Sequence, residues 1–292
     1  MRILLAGAKG QLGRCFKDRL PEDWELIATD SQTLDITDAA SVMNMVKNFQ
    51  PDAVVNAAAY TAVDKAESER DKAFAINATG TYNLAAAAQA VGAKFVHVST
   101  DYVFPGNAKS PYTETDSPDP VGIYGKSKLA GELLALSANP NSMVIRTAWV
   151  FSEYGNNFVK TMLRLAKDRD TLGVVDDQIG NPTYAGDLAQ AIIDALKLQN
   201  FPIGLYHYCG DKSVSWCDFA RATFQTASQS GRDFRVPITN GITTSEYPTP
   251  AARPPYSVMN CDKIKSLGLN MSDWQAALNK IVPVLLAEQQ AS

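Results

Sequence analysis

Short apolar runs punctuate the first half of the chain at residues 3–6, 26–29, 53–56, 95–99 and 143–147, and each is too brief for a helix. They lack the in-out alternation of a half-exposed strand, which predicts strands buried on both faces. Between them, residues 11–19, 38–49, 69–90 and 122–136 carry apolar positions at helical spacing. Strand-helix alternation of this kind implies a parallel sheet covered by helices on both sides. Asp38 is placed to cap one helix, and Gly92 to stop another. Beyond residue 150 the pattern loosens: Gly155-Asn156-Asn157, Gly180-Asn181-Pro182 and Pro248-Thr249-Pro250 break it into shorter elements, with helical stretches at 157–167, 185–198, 216–227 and 273–289. The expected architecture is α/β: a doubly wound parallel sheet over residues 1–150, to which some later segments return, and a smaller α/β unit over 151–292.

Composition narrows the function classes. The 292 residues are 46% hydrophobic and 20% charged, as in a globular protein, and the formal charge of −4 leaves no basic footprint for nucleic acid. Lysine and arginine nowhere form a run that would seek a membrane surface, and no apolar run approaches the ~20 residues of a bilayer span. Lys9 ends the first apolar stretch too early for a secretory segment, so a cytoplasmic location is expected. Cys15, Cys209, Cys217 and Cys261 are scattered without C-x-x-C spacing and read as packed thiols; His97 and His207 are too few for a histidine-rich metal site. His97, between Val96 and Val98, reads as a structural histidine inside a strand.

Gly7-Ala8-Lys9-Gly10-Gln11-Leu12-Gly13 follows the first strand and opens the first helix. Glycines there allow a tight turn and close approach of a pyrophosphate, whose charge meets backbone N–H groups at the helix start. Asp30 ends the second strand about 20 residues on, where a carboxylate holds the ribose hydroxyls of a dinucleotide. The turn is thus a Rossmann-type cofactor site. Asp30 repels a 2′-phosphate and favours NADH, whereas nearby Lys9 and Arg14 accommodate NADPH; both cofactors remain open.

Tyr124 and Lys128, in Tyr124-Gly125-Lys126-Ser127-Lys128, are four residues apart and share one helix face. A phenol is a poor acid-base group at neutral pH, but a fixed cation nearby draws its pKa toward the working range. Ser99-Thr100-Asp101 lies 24 residues upstream.

Taken in order, the glycine turn, Asn56-Ala57-Ala58-Ala59, Ser99-Thr100-Asp101 and Tyr124/Lys128 resemble the extended short-chain dehydrogenase/reductases. The runs at 56–67 (NAAAYTAVDKAE), 99–104 (STDYVF), 124–132 (YGKSKLAGE), 146–150 (RTAWV), 155–158 (GNNF) and 247–254 (YPTPAARP) are similar to those of the dTDP-4-dehydrorhamnose reductases within that superfamily, over nearly the whole chain. The resemblance implies reduction of the C4 ketone of dTDP-4-dehydro-L-rhamnose by NADH or NADPH, for cell-surface polysaccharides such as O antigen. It implies that Tyr124 donates the proton, that Lys128 holds the nicotinamide ribose and lowers the tyrosine pKa, and that Thr100 hydrogen-bonds the reacting oxygen. Gly7, Gly10, Gln11, Leu12 and Gly13 would lie at the pyrophosphate, Asp30 at the adenosine ribose, Asp35 and Ile36 at the adenine, and Ala59, Tyr60 and Thr61 along the cofactor. Asp101 and Trp149 would meet the sugar nucleotide. Arg253, between two prolines, is a candidate for its diphosphate because a guanidinium forks onto phosphate oxygens.

Some members bind Mg2+ at a dimer interface through an acidic residue just after the glycine turn. Arg14-Cys15 stand there in this chain, which disfavours Mg2+ without excluding it; no metal ligand is assigned, and a monomer or a differently built homodimer is expected as readily as the metal-bridged dimer. Competing readings are a related 4-reductase giving the 6-deoxytalose epimer and a non-catalytic NAD(P)-binding regulatory subunit. A 4,6-dehydratase is disfavoured because Thr100-Asp101-Tyr102 lacks the glutamate its elimination step requires.

Overall fold

The computed structural model describes residues 1–230 and 234–291. Six strands, β1 (Arg2–Ala6), β2 (Glu25–Thr29), β3 (Ala53–Asn56), β4 (Lys94–Thr100), β5 (Ser142–Thr147) and β6 (Gly204–His207), form the central sheet in the order β6-β5-β4-β3-β1-β2. Every pairing is parallel. Side chains alternate between two apolar layers: Ile3, Leu5, Val55, Val96 and Ile145 pack with Leu188 and Ile192 on one face, and Leu4, Val54, Phe95 and Val144 pack with Val42, Val46 and Leu84 on the other. This two-sided burial is why the strands read as unbroken apolar runs rather than alternating ones.

The five strands expected from the sequence are present, and β6 is an addition. Its four residues, GLYH, follow Pro202 and begin at Gly204, which takes a positive φ of 98°. A run so short and polar carries no strand signature on its own; it pairs because the helix Ala185–Lys197 brings the chain back beside β5. Asp38 caps the helix Ala39–Phe49 by accepting from the Ala40 and Ser41 amides at 3.0 and 3.2 Å, and Gly92 (φ 71°) follows the helix Thr81–Ala90. The stretch expected as one helix over 69–90 contains a π turn, Ala75–Gly80, with the buried Asn77 in it.

Beyond the sheet, helices Phe158–Asp168, Trp216–Gln229 and Trp274–Ala291 contribute to an apolar cluster that includes Phe151, Phe219 and Trp274, and Thr171–Val175 pairs in parallel with Ile238–Ile242. All four cysteines are free and buried.

The helix Ile123–Ala138 sets the geometry of the rest. Tyr124, Lys128 and Glu132 occur at successive i, i+4 positions and run as one polar stripe toward the sheet. At its inner end Glu132 takes a two-pronged ion pair from Arg146 of β5 (Nε to Oε1 2.9 Å, Nη2 to Oε2 2.7 Å) and a hydrogen bond from Ser99 Oγ of β4 at 2.5 Å. Both charged side chains are 3% exposed. Two glycines let the helix close on its neighbours: a Cβ on Gly125 would overlap the Tyr102 carbonyl, and one on Gly131 the Asn77 carbonyl. Glu132→Gln strands the Arg146 charge inside the protein, and urea unfolding is expected to show a loss of about 3–5 kcal/mol, the range for breaking a buried pair from one side. A loss under 1 kcal/mol would mean that the clamp is structurally dispensable.

Candidate active site

The strand order reverses between β1 and β3, and the crevice beyond their carboxyl ends is where open α/β sheets bind ligands. The glycine turn lines it. Gly7 has φ 84°, and a Cβ there would sit 2.5–2.7 Å from the Ala57 and Ala58 backbone, so only glycine lets the β1 and β3 loops meet. A Cβ on Gly13 would overlap the Gly7 carbonyl, which also accepts from the Gly10 amide at 3.0 Å. Gly10 starts the helix Gln11–Lys17 with no side-chain cap and no acidic residue in the first turn, leaving its amides open to an anion. The turn therefore fits a dinucleotide pyrophosphate. Leu12 and Gln11 offer it backbone only: Leu12 is packed in the core, and Gln11 Oε1 accepts from Ser152 Oγ (3.0 Å) and Asn157 Nδ2 (2.9 Å) of the GNNF loop.

Asp30 lies at the end of β2 in an ion pair with Lys9 (2.6 Å), its other oxygen accepting from the Gln32 amide at 2.8 Å. The Lys9 contact, ahead of that amide, holds the carboxyl below its ordinary pKa. Asp35 is exposed and accepts from the amide and hydroxyl of Thr37 (2.9 and 2.7 Å), while Ile36 is buried against Gly80. Ala59, Tyr60 and Thr61 follow β3, and Asn77 holds their loop: its Oδ1 accepts from the Tyr60 amide (2.8 Å), and its Nδ2 donates to the Tyr60 carbonyl (3.1 Å) and to Ser127 Oγ (2.9 Å). Asn77 thus joins the cofactor-side loop to the Tyr124 helix. An asparagine within an Ala-rich helical stretch, which also holds Asn83, was its only signal in the sequence.

Thr100 ends β4. Its hydroxyl donates to Asp101 Oδ1 at 2.9 Å, accepts from the Tyr102 amide at 3.2 Å, and neighbours the Tyr124 phenol. The Tyr102 and Tyr124 rings meet edge to face, 5.5 Å between centroids. Thr100, Asp101 and Tyr124 are therefore brought together. Lys128 is placed differently from the sequence expectation. Its ammonium is 1% exposed, donates to the Val98 carbonyl at 2.6 Å and lies 3.4 Å from His97 Nε2. Tyr124 is not made more acidic by it: burial pushes the phenol up to about 12, the Thr100 hydrogen bond opposing and the Asp101 charge adding. Burial in turn brings Lys128 down to about 8, against the pull of Glu132. One helical turn aligns the two residues, and the lysine's long chain carries its nitrogen to the Val98 carbonyl of β4.

Trp149 has φ 48°, a left-handed conformation that costs a non-glycine residue on the order of 1–3 kcal/mol. Its ring stacks on Trp216 (3.5 Å between centroids, 6° between planes), and a Cβ on Gly180 would lie 2.5 Å from it. The indole is only partly buried, so it is neither free in solvent nor a core aromatic. Arg253 is anchored: its Nη2 bonds both Asp64 oxygens at 2.9 Å, while Nη1 is buried with no partner. The Tyr102 phenol is raised chiefly by burial, with the Arg253 charge opposing and the Asp101, Tyr124 and Asp64 charges adding.

Asp101 is 2% exposed, and its Oδ2 has no hydrogen-bond partner. Burial raises its pKa to about 6, opposed by the neighbouring Ser257 hydroxyl and by the Thr100 hydrogen bond. The folded protein therefore binds this proton more tightly than the unfolded chain, and stability falls as pH rises from about 4 to 6. Asp101→Asn removes that penalty. Thermal melts at pH 4 and pH 8 should show the variant gaining on the native protein only at pH 8, by on the order of 3 kcal/mol. Equal differences at the two pH values would contradict it.

Among the described residues no group of three or more histidine, cysteine, aspartate or glutamate side chains is arranged to hold a metal, and no helix is long and apolar enough to cross a membrane. A family model described as the RmlD substrate binding domain matches residues 1–286. The dTDP-4-dehydrorhamnose reductase of Aggregatibacter actinomycetemcomitans is 48% identical over 287 residues, 96% of this chain and 98% of that protein. A solved dTDP-4-dehydrorhamnose reductase from Clostridium acetobutylicum superposes with a TM-score of 0.92 at 42% identity, covering 98% of this chain and 100% of its own. One from Bacillus anthracis, solved in complex with NADP, superposes with a TM-score of 0.90 at 39% identity, covering 96% and 98%. With its glycine turn at a strand-order reversal and its Thr-Tyr-Lys set at the end of β4, the chain belongs to the RmlD family of dTDP-4-dehydrorhamnose reductases.

Proposed function

We infer that this chain is an NAD(P)H-dependent oxidoreductase that reduces the C4 ketone of dTDP-4-dehydro-L-rhamnose to dTDP-L-rhamnose. The observation that carries the reading is the convergence of Thr100, Asp101 and Tyr124 at the carboxyl end of β4, beside the glycine turn, in a chain similar along its whole length to reductases of that name. When bound, the reduced nicotinamide supplies a hydride. The crevice between Gly7–Gly13 and Ala57–Tyr60 would hold the dinucleotide, with Asp30 at its adenosine ribose and Asp35 and Ile36 toward the adenine. Lys9 neutralises Asp30, which relieves the repulsion of a 2′-phosphate and supports use of both NADH and NADPH. Residues 1–150 then form the cofactor-binding part, and residues 151–292 mainly the sugar-nucleotide part.

In this reading the ketone oxygen lies at Thr100 and Tyr124. As charge grows on that oxygen, the Tyr124 phenol, joined by the Thr100 hydroxyl once it turns from Asp101, stabilises the transition state more than the ground state. A phenol titrating near 12 stays protonated through the physiological range, which suits a proton donor. The test is to incubate purified protein with NADH or NADPH and the keto sugar, follow loss of the reduced nicotinamide, and identify the sugar formed. Tyr124→Phe should cut turnover by roughly 10²–10⁴ and leave cofactor affinity nearly intact. Near-native turnover in that variant, or no ketone-dependent oxidation by the native protein, overturns the reading; 6-deoxytalose as product would reassign the hydride face.

Arg253 serves in this reading as the diphosphate contact. Asp64 fixes one arm of the guanidinium and leaves Nη1 as a pre-aimed donor. A charged hydrogen bond contributes about 1.5–3 kcal/mol, so Arg253→Ala should raise KM for the sugar nucleotide by roughly tenfold to a hundredfold with a smaller change in kcat. An unchanged KM would remove Arg253 from the site.

A further inference from the structure

Beneath Lys128 a chain of buried polar groups has its direction fixed by the backbone. Asn56 ends β3, and His97 is its register partner on β4; both are fully buried. Asn56 Oδ1 accepts from the Ala58 amide at 3.1 Å, which fixes the orientation of the side-chain amide. Its Nδ2 then faces Thr81 Oγ1 and His97 Nδ1, each at 3.2 Å. Thr81 spends its own proton on the Asn77 carbonyl at 2.8 Å and so receives from Asn56. The second Asn56 proton goes to His97 Nδ1. A neutral imidazole that accepts at Nδ1 carries its proton on Nε2, the atom 3.4 Å from Lys128 Nζ. The opposite tautomer would set two donors face to face at Asn56, or, with the amide reversed, two donors at the Ala58 amide.

We propose that Asn56 and His97 act as positioning residues for Lys128, presenting an N–H rather than a lone pair to its nitrogen so that the lysine releases its proton more readily than one held by acceptors alone. The proposal rests on the reductase reading given above and extends it below the residues that reading uses. A neutral Lys128 accepts from His97 Nε2–H and still donates to the Val98 carbonyl; the ammonium form keeps the second contact and meets a donor at the first. The other groups around it balance. Glu132, one turn along the same helix, favours the ammonium but is engaged by Arg146 of β5 and Ser99 of β4; Tyr124 lies one turn before; the π turn contributes the Asn77 carbonyl over Gly131. Burial keeps His97 itself uncharged, well below the usual histidine range. When Lys128 yields its proton, the free amine is stabilised by the N–H of the ring beneath.

With only two histidines in the chain, ring nitrogens can be read directly. Protein labelled with ¹⁵N-histidine, with His207→Gln for assignment, should show His97 protonated on Nε2 alone at pH 7. A ring protonated on Nδ1, or on both nitrogens, overturns the proposal. Asn56→Asp supplies an acceptor to Nδ1 while keeping one for the Ala58 amide, so the ring should move its proton to Nδ1 and offer Lys128 a lone pair. The alkaline limb of kcat/KM should then rise by at least one pH unit, and this rise should vanish in a background of His97→Leu. A limb that stays put, or a rise that persists without the ring and so comes from the new charge alone, overturns it. The tautomer is read on the free protein, so failure of the reductase reading would appear separately, as native protein with the stated tautomer but no ketone-dependent oxidation.

Discussion

Everything at the site is referenced to one buried carboxylate. Glu132 is the point at which the Ile123–Ala138 helix is tied to β4 through Ser99 and to β5 through Arg146. Taking two charges out of water is unfavourable, and an apolar pair of similar volume would often be at least as stable. What the ion pair provides that an apolar pair cannot is direction: the fork of a guanidinium on a carboxylate fixes rotation as well as distance. Because Lys128 and Tyr124 lie one and two turns up the same helix, a slip of the helix along the sheet would carry the phenol away from Thr100. Glycine enforces the same register from the other side, since the Tyr102 and Asn77 carbonyls occupy the space where side chains at 125 and 131 would begin.

The pocket itself concentrates conditions that folding alone would avoid. Asp101 holds an oxygen without a partner, Arg253 a nitrogen without one, Lys128 is an almost fully buried amine, and Trp149, stacked on Trp216, takes a left-handed backbone conformation. Such features persist only where surrounding packing over-determines them, and they are more often found at functional positions than in parts of a fold that serve stability alone. The two unpartnered charged groups are of opposite sign, which suits a substrate with hydroxyl donors at one end and phosphate oxygens at the other.

The legibility of the sequence follows from how local each signal is. Five strands of the central sheet could be read because each is an apolar run covered on both faces; β6 could not, since GLYH becomes a strand only through its neighbour. The positions of Asp30 after β2, Thr100 at the end of β4 and Tyr124 on a helix could be read because their motifs are contiguous and their elements regular. The path of the Lys128 side chain was not: periodicity puts it on the right face of the helix, but whether its nitrogen lies along the phenol or under it depends on the Val98 carbonyl and His97, contributed from 30 residues away. Arg253 shows the same limit, as its anchor Asp64 lies 189 residues distant.

His97 illustrates the difference between a residue's burial and its role. A histidine flanked by valines in a strand is read as structural, and its full burial agrees with that. A buried polar group must still have its hydrogen bonds placed, and once the Ala58 amide is fixed by the backbone, each neighbour in turn has one way to satisfy its own. The constraint therefore runs outward from an ordinary backbone group on the loop after β3, through Asn56 and the ring, to the amine of Lys128. Uncharged and far from solvent, the imidazole contributes through the direction of its dipole, which the sheet register sets by placing residue 56 opposite residue 97.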